Sequence, residues 1–256
     1  MKYKAIISDV DGTLIPPSEY PAPKLPPKIV DVVIRVRQRG IYFSLATGRS
    51  LDWLEDLVDS LSLTEPIILD NGARIYDCGK RLYLSSIYLS REEVEKVLSI
   101  IIKDPTLRIF ILEDERRLDS PDKIRTWKIT KILVLGVTPA KANDLYQSLS
   151  QIPTISVTKS VSGIGVKSQS IHVTSGRATK QHGVMEVAKI LGVSTKEIIG
   201  IGDSYNDYQL LMACGLKIAM GNAVAEIKEI ADYIAPPYEQ GGIIHVLEKF
   251  ILSQNL

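Results

Sequence analysis

The 256-residue chain is poor in cysteine and histidine, with two and three respectively, and has only three phenylalanines and two tryptophans. Two cysteines as far apart as Cys78 and Cys214 cannot build the disulfide framework of a small secreted fold and fit no metal-ligand spacing, so both are read as reduced thiols. The histidines, His172, His182 and His245, are equally scattered and make no ligand set. Net charge is lacking too, since 31 Lys and Arg face 30 Asp and Glu, leaving +1. With no basic run anywhere, the chain has no electrostatic footprint for nucleic acid. Long apolar runs are absent. The N-terminus, MKYKAIISDVDGT, is broken at once by two aspartates, which reads as neither signal peptide nor membrane span and points to the cytoplasm.

What is present is an ordinary globular composition, 45% hydrophobic, at a length where one core gives way to two. Apolar runs of strand length recur at Lys4 to Ser8, Ile41 to Ala46, Pro66 to Leu69, Ile198 to Ile201 and Leu216 to Met220, each stopping at Gly, Asp, Asn or Thr. Helical stripes lie between them: Ile29, Val32, Val33 and Val36; Leu51, Leu54, Leu57, Val58 and Leu61; Val184, Val187, Ala188 and Leu191. Gly40 and Gly192 follow two of these as C-terminal caps would. Strands alternating with helices predict an α/β fold with a doubly wound, mostly parallel sheet.

The middle reads differently. Arg74 to Tyr88 alternates like a hairpin, and Arg108 to Leu118 and Lys128 to Leu135 read as further sheet segments. Two helices interrupt them, one opened by the capping box Ser90-Arg91-Glu92-Glu93 and one running from about Pro139 to Leu149. This predicts an α+β insertion with hinges near Ser85 and Ser175, so that residues 1–84 and 176–256 form the main domain and 85–175 the insertion. Pro16 to Pro27 holds six prolines in twelve residues and is read as a stiff connector before the first helix. Trp127 is read as packing the core of the insertion.

Asp9 and Asp11 stand where the first strand ends. Residues two apart in an extended chain share a face, so both carboxylates project together, and two acids that repel each other call for a cation. A hard divalent ion, Mg²⁺, suits carboxylate oxygens and substrate phosphate; a plain strand-end turn is the alternative. A second acidic loop, Gly202-Asp203-Ser204-Tyr205-Asn206-Asp207, also follows a strand, and at the carboxyl edge of a parallel sheet the two can converge. Phosphate needs donors. Thr47-Gly48-Arg49-Ser50 offers a hydroxyl and free backbone N–H groups, and Lys180 offers a point charge at a helix start. Singly these read as readily as a common turn and a solvated lysine; in combination they gain weight as donors to an anion.

In this order, Asp9-Val10-Asp11-Gly12-Thr13, Thr47, Lys180 and Gly202 to Asp207 resemble the four motifs of the haloacid dehalogenase-like phosphohydrolases. The insertion, and Met220-Gly221-Asn222-Ala223 after the acidic loop, resemble the Cof-like branch with its Rossmann-like core and large α+β cap. The resemblance implies a Mg²⁺-dependent hydrolase of small phosphorylated metabolites, sugar phosphates being the usual class. Asp9 would be the nucleophile that becomes an aspartyl phosphate. Asp11 would be the acid and base, and burial under the cap is expected to keep it protonated. Asp9, the Asp11 carbonyl and Asp203 would hold the metal with Asp207 beside them, and Thr47, Gly48, Lys180 and Asn206 would hold phosphate. Arg49, Asn71, Gly72 and His172 are candidates to face the substrate. Asn71-Gly72 is also a hairpin signal, and His172 departs from the acidic residue this branch often has. Asn206 is preferred over Asn222 as a functional asparagine. Two other readings share the motifs: a phosphomutase, and a non-catalytic sensor of phosphorylated metabolites. A monomer is the default, with a homodimer through the insertion as the alternative.

Overall fold

The computed structural model describes residues 2–17, 24–161 and 168–254. β1 (Ala5–Ser8) is buried along its whole length, as a short apolar strand covered on both faces must be. α1 (Pro27–Gln38) starts on a proline, whose missing N–H costs nothing at that position, and buries the stripe Ile29, Val32, Val33 and Val36. Half of the proline-rich connector, residues 18–23, lies outside the described residues. After β2 (Tyr42–Leu45), the Leu51 to Leu61 stripe divides into a 3₁₀ turn at Leu51–Trp53 and the short α2 (Glu55–Ser60).

β3 (Pro66–Leu69) departs from the expected pattern. It pairs antiparallel with β4 (Arg74–Asp77), which pairs antiparallel with β5 (Leu82–Ser86), so the three form a small sheet of their own. One parallel bridge, Ala46 to Ile68, links this sheet to the end of β2. The insertion follows. α3 (Arg91–Ile101) opens at the Ser90/Glu93 capping box, followed by β6 (Arg108–Glu113), β7 (Arg116–Leu118), β8 (Ile129–Val137), α4 (Pro139–Leu149), β9 (Ile155–Val161) and β10 (Gln169–Ser175). Its strands make an antiparallel sheet in the order β7-β6-β8-β10-β9. Val94, Val97 and Ile101 of α3 and Leu145 and Leu149 of α4 pack with Ile132, Val134, Ile171 and Val173 of that sheet into a second core. Trp127 packs against this core under the guanidinium of Arg91.

α5 (Lys180–Leu191), β11 (Ile198–Gly202), α6 (Tyr208–Ala213), β12 (Leu216–Ala219), α7 (Ala225–Ile230), β13 (Tyr233–Ile234) and α8 (Gly242–Leu247) complete the chain. The central sheet has the order β13-β12-β11-β1-β2, and every pair in it is parallel. Ile6 and Phe43 pack on one face with Val32, Val36 and Val246, while Ile7 and Ala46 pack on the other with Val184, Val187 and Leu210. Helices therefore cover both faces. β1 lies between β2 and β11, so the chain leaves it in one direction and returns on the other, and the crevice beyond its carboxyl end is where ligands of such sheets bind. Among the described residues no helix is long and apolar enough to cross a membrane.

Candidate active site

Asp9 directly follows β1 and continues its ladder, donating its N–H to the Ile201 carbonyl at 2.8 Å. Asp203 directly follows β11, the neighbouring strand. Contact between the two loops depends on Gly12, whose φ of +80° suits glycine and whose missing side chain leaves room for the Asp203 carboxylate. Thr13 Oγ1 donates to Asp203 Oδ1 at 3.1 Å, and Asn222 Nδ2 reaches the Gly12 carbonyl at 2.8 Å and Asp203 Oδ2 at 3.4 Å. The first and last motifs are thus bound to each other across the sheet edge.

Oxygens of Asp9, Asp203 and Asp207 lie within 4.8 Å of one another, and all three residues are buried. Lys180, the first residue of α5, inserts Nζ between Asp9 Oδ1 at 2.7 Å and Asp207 Oδ1 at 2.6 Å. The other Asp207 oxygen accepts the N–H groups of Asp203 and Ser204, both at 2.9 Å. Burial first, then the charge of Asp207, push Asp9 up to about 8. Asp203 is held well above the usual carboxylate range by burial and by the charges of Asp9 and Asp207. Burial would lower Lys180, but the two carboxylates more than offset it and hold the ammonium above its ordinary value. One lysine cannot neutralise three buried carboxylates, and an unpaired buried charge is costly. The cluster therefore suits a hard divalent cation with oxygen ligands. Asp9 Oδ1 accepts from Lys180 and each Asp203 oxygen accepts one bond, which leaves lone pairs for the ion, whereas Asp207 already accepts three bonds, from Lys180 and the loop backbone.

Asp11 differs from expectation. It is not buried under the insertion: its side chain is 30% exposed, and both oxygens accept from Arg49, Nε to Oδ2 at 2.7 Å and Nη2 to Oδ1 at 2.6 Å. The fork of a guanidinium matches a carboxylate in two parallel bonds, so Arg49 holds an acid of the first motif, and Trp53 stacks beneath it. Thr47 is buried at the end of β2, where its hydroxyl accepts the Arg49 N–H at 3.1 Å.

The turn Asp70–Gly72 carries Asn71-Gly72, for which the sequence offered a hairpin and a substrate-facing reading. It joins β3 to β4 as a hairpin connection, and it also faces the site. Asn71 N–H donates to the Thr47 carbonyl at 2.9 Å, and Asn71 Oδ1 accepts from Asn206 Nδ2 at 3.1 Å. Of the two asparagines weighed, Asn206 thus braces Asn71 while Asn222 touches a carboxylate. From the antiparallel sheet, His172 lies over Gly48 with its Nε2 2.9 Å from the hydroxyls of Ser160 and Ser170. Sequence reasoning left out two residues: Lys131 of β8, buried, donates to the Gly48 carbonyl and, at 2.8 Å, to Asp70 Oδ1. A lone lysine inside the run Ile129 to Leu135 was the available signal. Cys78 and Cys214 are free and buried, and burial pushes both thiols up to about 12.

A sequence model of the haloacid dehalogenase-like hydrolases matches residues 6–126 and 113–247, most of the chain. A putative phosphatase of Buchnera aphidicola is 25% identical, covering 99% of this chain and 97% of its own. Phosphoglycolate phosphatase 1 of Saccharolobus solfataricus is 24% identical, with 98% and 97% covered. Among solved structures, a haloacid dehalogenase-like hydrolase from B. subtilis superposes with a TM-score of 0.83 at 18% identity, covering 96% of this chain and 99% of its own. A subclass IIB sugar phosphatase of the same superfamily does so with a TM-score of 0.77 at 21% identity, covering 96% and 98%.

Proposed function

The chain belongs to the haloacid dehalogenase-like hydrolases, and on that premise we propose that it is a cytoplasmic, Mg²⁺-dependent phosphatase of small phosphorylated metabolites, with sugar phosphates the leading class. The observation that carries this reading is the buried Asp9, Asp203 and Asp207 cluster with Lys180 inserted into it at the carboxyl edge of the parallel sheet. We assign residues 1–84 and 176–256 to the catalytic core and 85–175 to the cap.

Asp9 attacks phosphorus and expels the leaving alkoxide, giving an aspartyl phosphate; Asp11, which gives up one of its two bonds to Arg49 and takes a proton from solvent when the ester binds, passes that proton to the alkoxide. Asp11 then takes a proton from the water that attacks the phosphoryl group, and inorganic phosphate and Asp9 are released. Lys180, Thr47 and the backbone at Gly48 hold the phosphoryl oxygens, and Asn206 lines the same site through its bond to Asn71. Asp9, the Asp11 carbonyl and Asp203 would hold Mg²⁺, which would supply neutralisation of the phosphate charge. Asp207 keeps Lys180 aimed at Asp9. Catalysis is thus by position and charge. Arg49 fixes where the Asp11 carboxylate sits.

Phosphate release from a panel of phosphomonoesters, with Mg²⁺, with EDTA and with Asp9→Asn, tests the proposal. Metal-dependent release that the variant loses is the expected result. Release that survives both EDTA and Asp9→Asn, or an isomerised ester in place of free phosphate, would overturn it.

A further inference from the structure

The two ring nitrogens of His172, on the antiparallel sheet of the insertion, have opposite fates. It sits on β10 between β8 and β9, opposite Leu133 and Thr158 in register, and is 8% exposed. Nε2 is tied to Ser160 and Ser170, whose hydroxyls also bond each other at 2.8 Å. Nδ1 is buried and has no hydrogen-bond partner among the described residues. A buried polar atom without a partner costs free energy unless something completes it.

That atom points at the site. A Cβ placed on Gly48 would meet His172 Nδ1 at 3.3 Å and Asn71 Oδ1 at 3.2 Å, so imidazole and amide border the same space beside the loop that follows Thr47. Asn71 Oδ1 in turn accepts from Asn206, next to Asp207, which holds Lys180. Burial, and then the charges of Lys131 and Lys180, hold the imidazole well below its ordinary value, so it is neutral. Of the cations beside it, Lys131 holds Asp70 at 2.8 Å and Arg49 holds Asp11 at 2.6 Å. Arg74, 3.8 Å from Asp70, stacks on Tyr83 and donates to the Asp114 carbonyl. A carboxylate on the leaving group would meet a neutral imidazole, not a cation, at Nδ1. A hydroxyl, which donates and accepts, completes Nδ1 in either tautomer.

Resting on the phosphatase reading above, we propose that His172 is a specificity-determining residue whose Nδ1 hydrogen-bonds a hydroxyl of the leaving group, so that the enzyme selects polyol and sugar phosphates over carboxylated, alkyl and aryl phosphates. A site that hydrogen-bonds a substrate hydroxyl discriminates strongly against esters lacking it, because its own buried group is then left unpaired.

Two substitutions separate this role from a structural one. The amide of His172→Asn puts a polar atom where Nδ1 is, and that of His172→Gln puts one where Nε2 is. The measurement is the ratio of kcat/KM for ribitol 5-phosphate or glycerol 1-phosphate to that for p-nitrophenyl phosphate, which cancels any loss common to both; 2-phosphoglycolate is run beside them. Wild type is expected to rank the polyol phosphates first. His172→Gln should lower the ratio about tenfold or more, and His172→Asn should keep it within about threefold. Gly48→Ala, whose methyl would crowd Nδ1, should lower the same ratio and serves as a second probe should the histidine variants fail to fold. Retention by Gln and loss by Asn would mean that the residue acts only through its serines, and a preference for 2-phosphoglycolate that His172→Gln abolishes would mean an anionic partner; either overturns the proposal. Hydrolysis of p-nitrophenyl phosphate by wild type keeps these outcomes apart from failure of the phosphatase reading, which would appear as no metal-dependent release from any ester and would remove the proposal with it.

Discussion

Arg49 holds Asp11 by both oxygens, at 2.7 and 2.6 Å, so the second acid of the first motif is fixed by a residue from the loop after the next strand. A lysine would keep the charge but not the two-pronged geometry. Arg49→Lys should therefore lower kcat by roughly 10–100-fold, the range that small misplacement of a reacting group causes. In an Asp11→Asn background the same change should cost little more, because Arg49 acts through Asp11. Steady-state kinetics of the two single variants and the double variant test this; fully additive losses would show that Arg49 has a separate role.

The acidic cluster makes stability depend on pH and metal together. With Asp9 pushed from 3.8 up to about 8, the folded protein between those values keeps a proton that the unfolded chain has lost. The Asp9 contribution is then complete below 3.8 and disappears as pH rises through about 8. Asp203, raised in the same direction, has the same sign. The metal-free protein should melt at progressively lower temperature as pH rises through that window. Mg²⁺ should raise Tm most at its upper end, since binding requires the deprotonated acids. Asp9→Asn should flatten the slope. Thermal denaturation across pH, with and without Mg²⁺, measures it, and a Tm indifferent to both pH and metal would contradict the cluster's assigned role.

These two relationships were unequally legible in the sequence. Asp9 and Asp11 were visible because the strand period of two puts them on one face, and Asp203 joined them because β1 and β11 are adjacent parallel strands. Lys180 was visible only as a charge at a helix start. That it divides between Asp9 and Asp207 is tertiary. The pairing of Asp11 with Arg49 depends on how two loops approach, which no local pattern encodes. The same holds for Lys131 and Asp70, which are 61 positions apart, one in a strand of the insertion and the other in the turn after β3. The run Pro66 to Leu69 is apolar throughout and has no alternation to say whether it joins the central sheet or a hairpin, so its antiparallel partner β4 emerged only in three dimensions.

Lys131 and Asp70 are 2% and 0% exposed by side chain, and they tie the antiparallel sheet to the loop after β3. Removing one partner leaves the other charge buried. Lys131→Met or Asp70→Asn alone should destabilise by about 3–5 kcal/mol, while the double variant should cost less than the sum of the two because neither charge is left alone. Urea unfolding of the cycle checks this. KM should rise in Lys131→Met, since the Gly48 carbonyl loses its clamp from the antiparallel sheet. Additive losses with unchanged KM would reduce the pair to a surface-like contact.

Gly72 is the narrowest backbone junction of the site. Its φ is +100°, a region open to glycine, and a Cβ there would overlap the carbonyl of Thr179. Thr179 caps α5, its hydroxyl accepting the His182 N–H at 3.1 Å, and the next residue is Lys180. Strain at Gly72 would therefore be relieved by moving the start of the helix that delivers the lysine to Asp9. Gly72→Ala should cost on the order of 2–3 kcal/mol from the backbone conformation and the collision together. It should also lower turnover beyond what that stability loss explains, because Lys180 would no longer meet both carboxylates. The comparison variant is Lys180→Met, which removes the ammonium without moving the helix. If displacement of Lys180 is the cause, adding Gly72→Ala to Lys180→Met should lower kcat little further at a temperature where both variants remain folded. A full second loss would mean that Gly72 acts on the site by another route, through Asn71 on its other side.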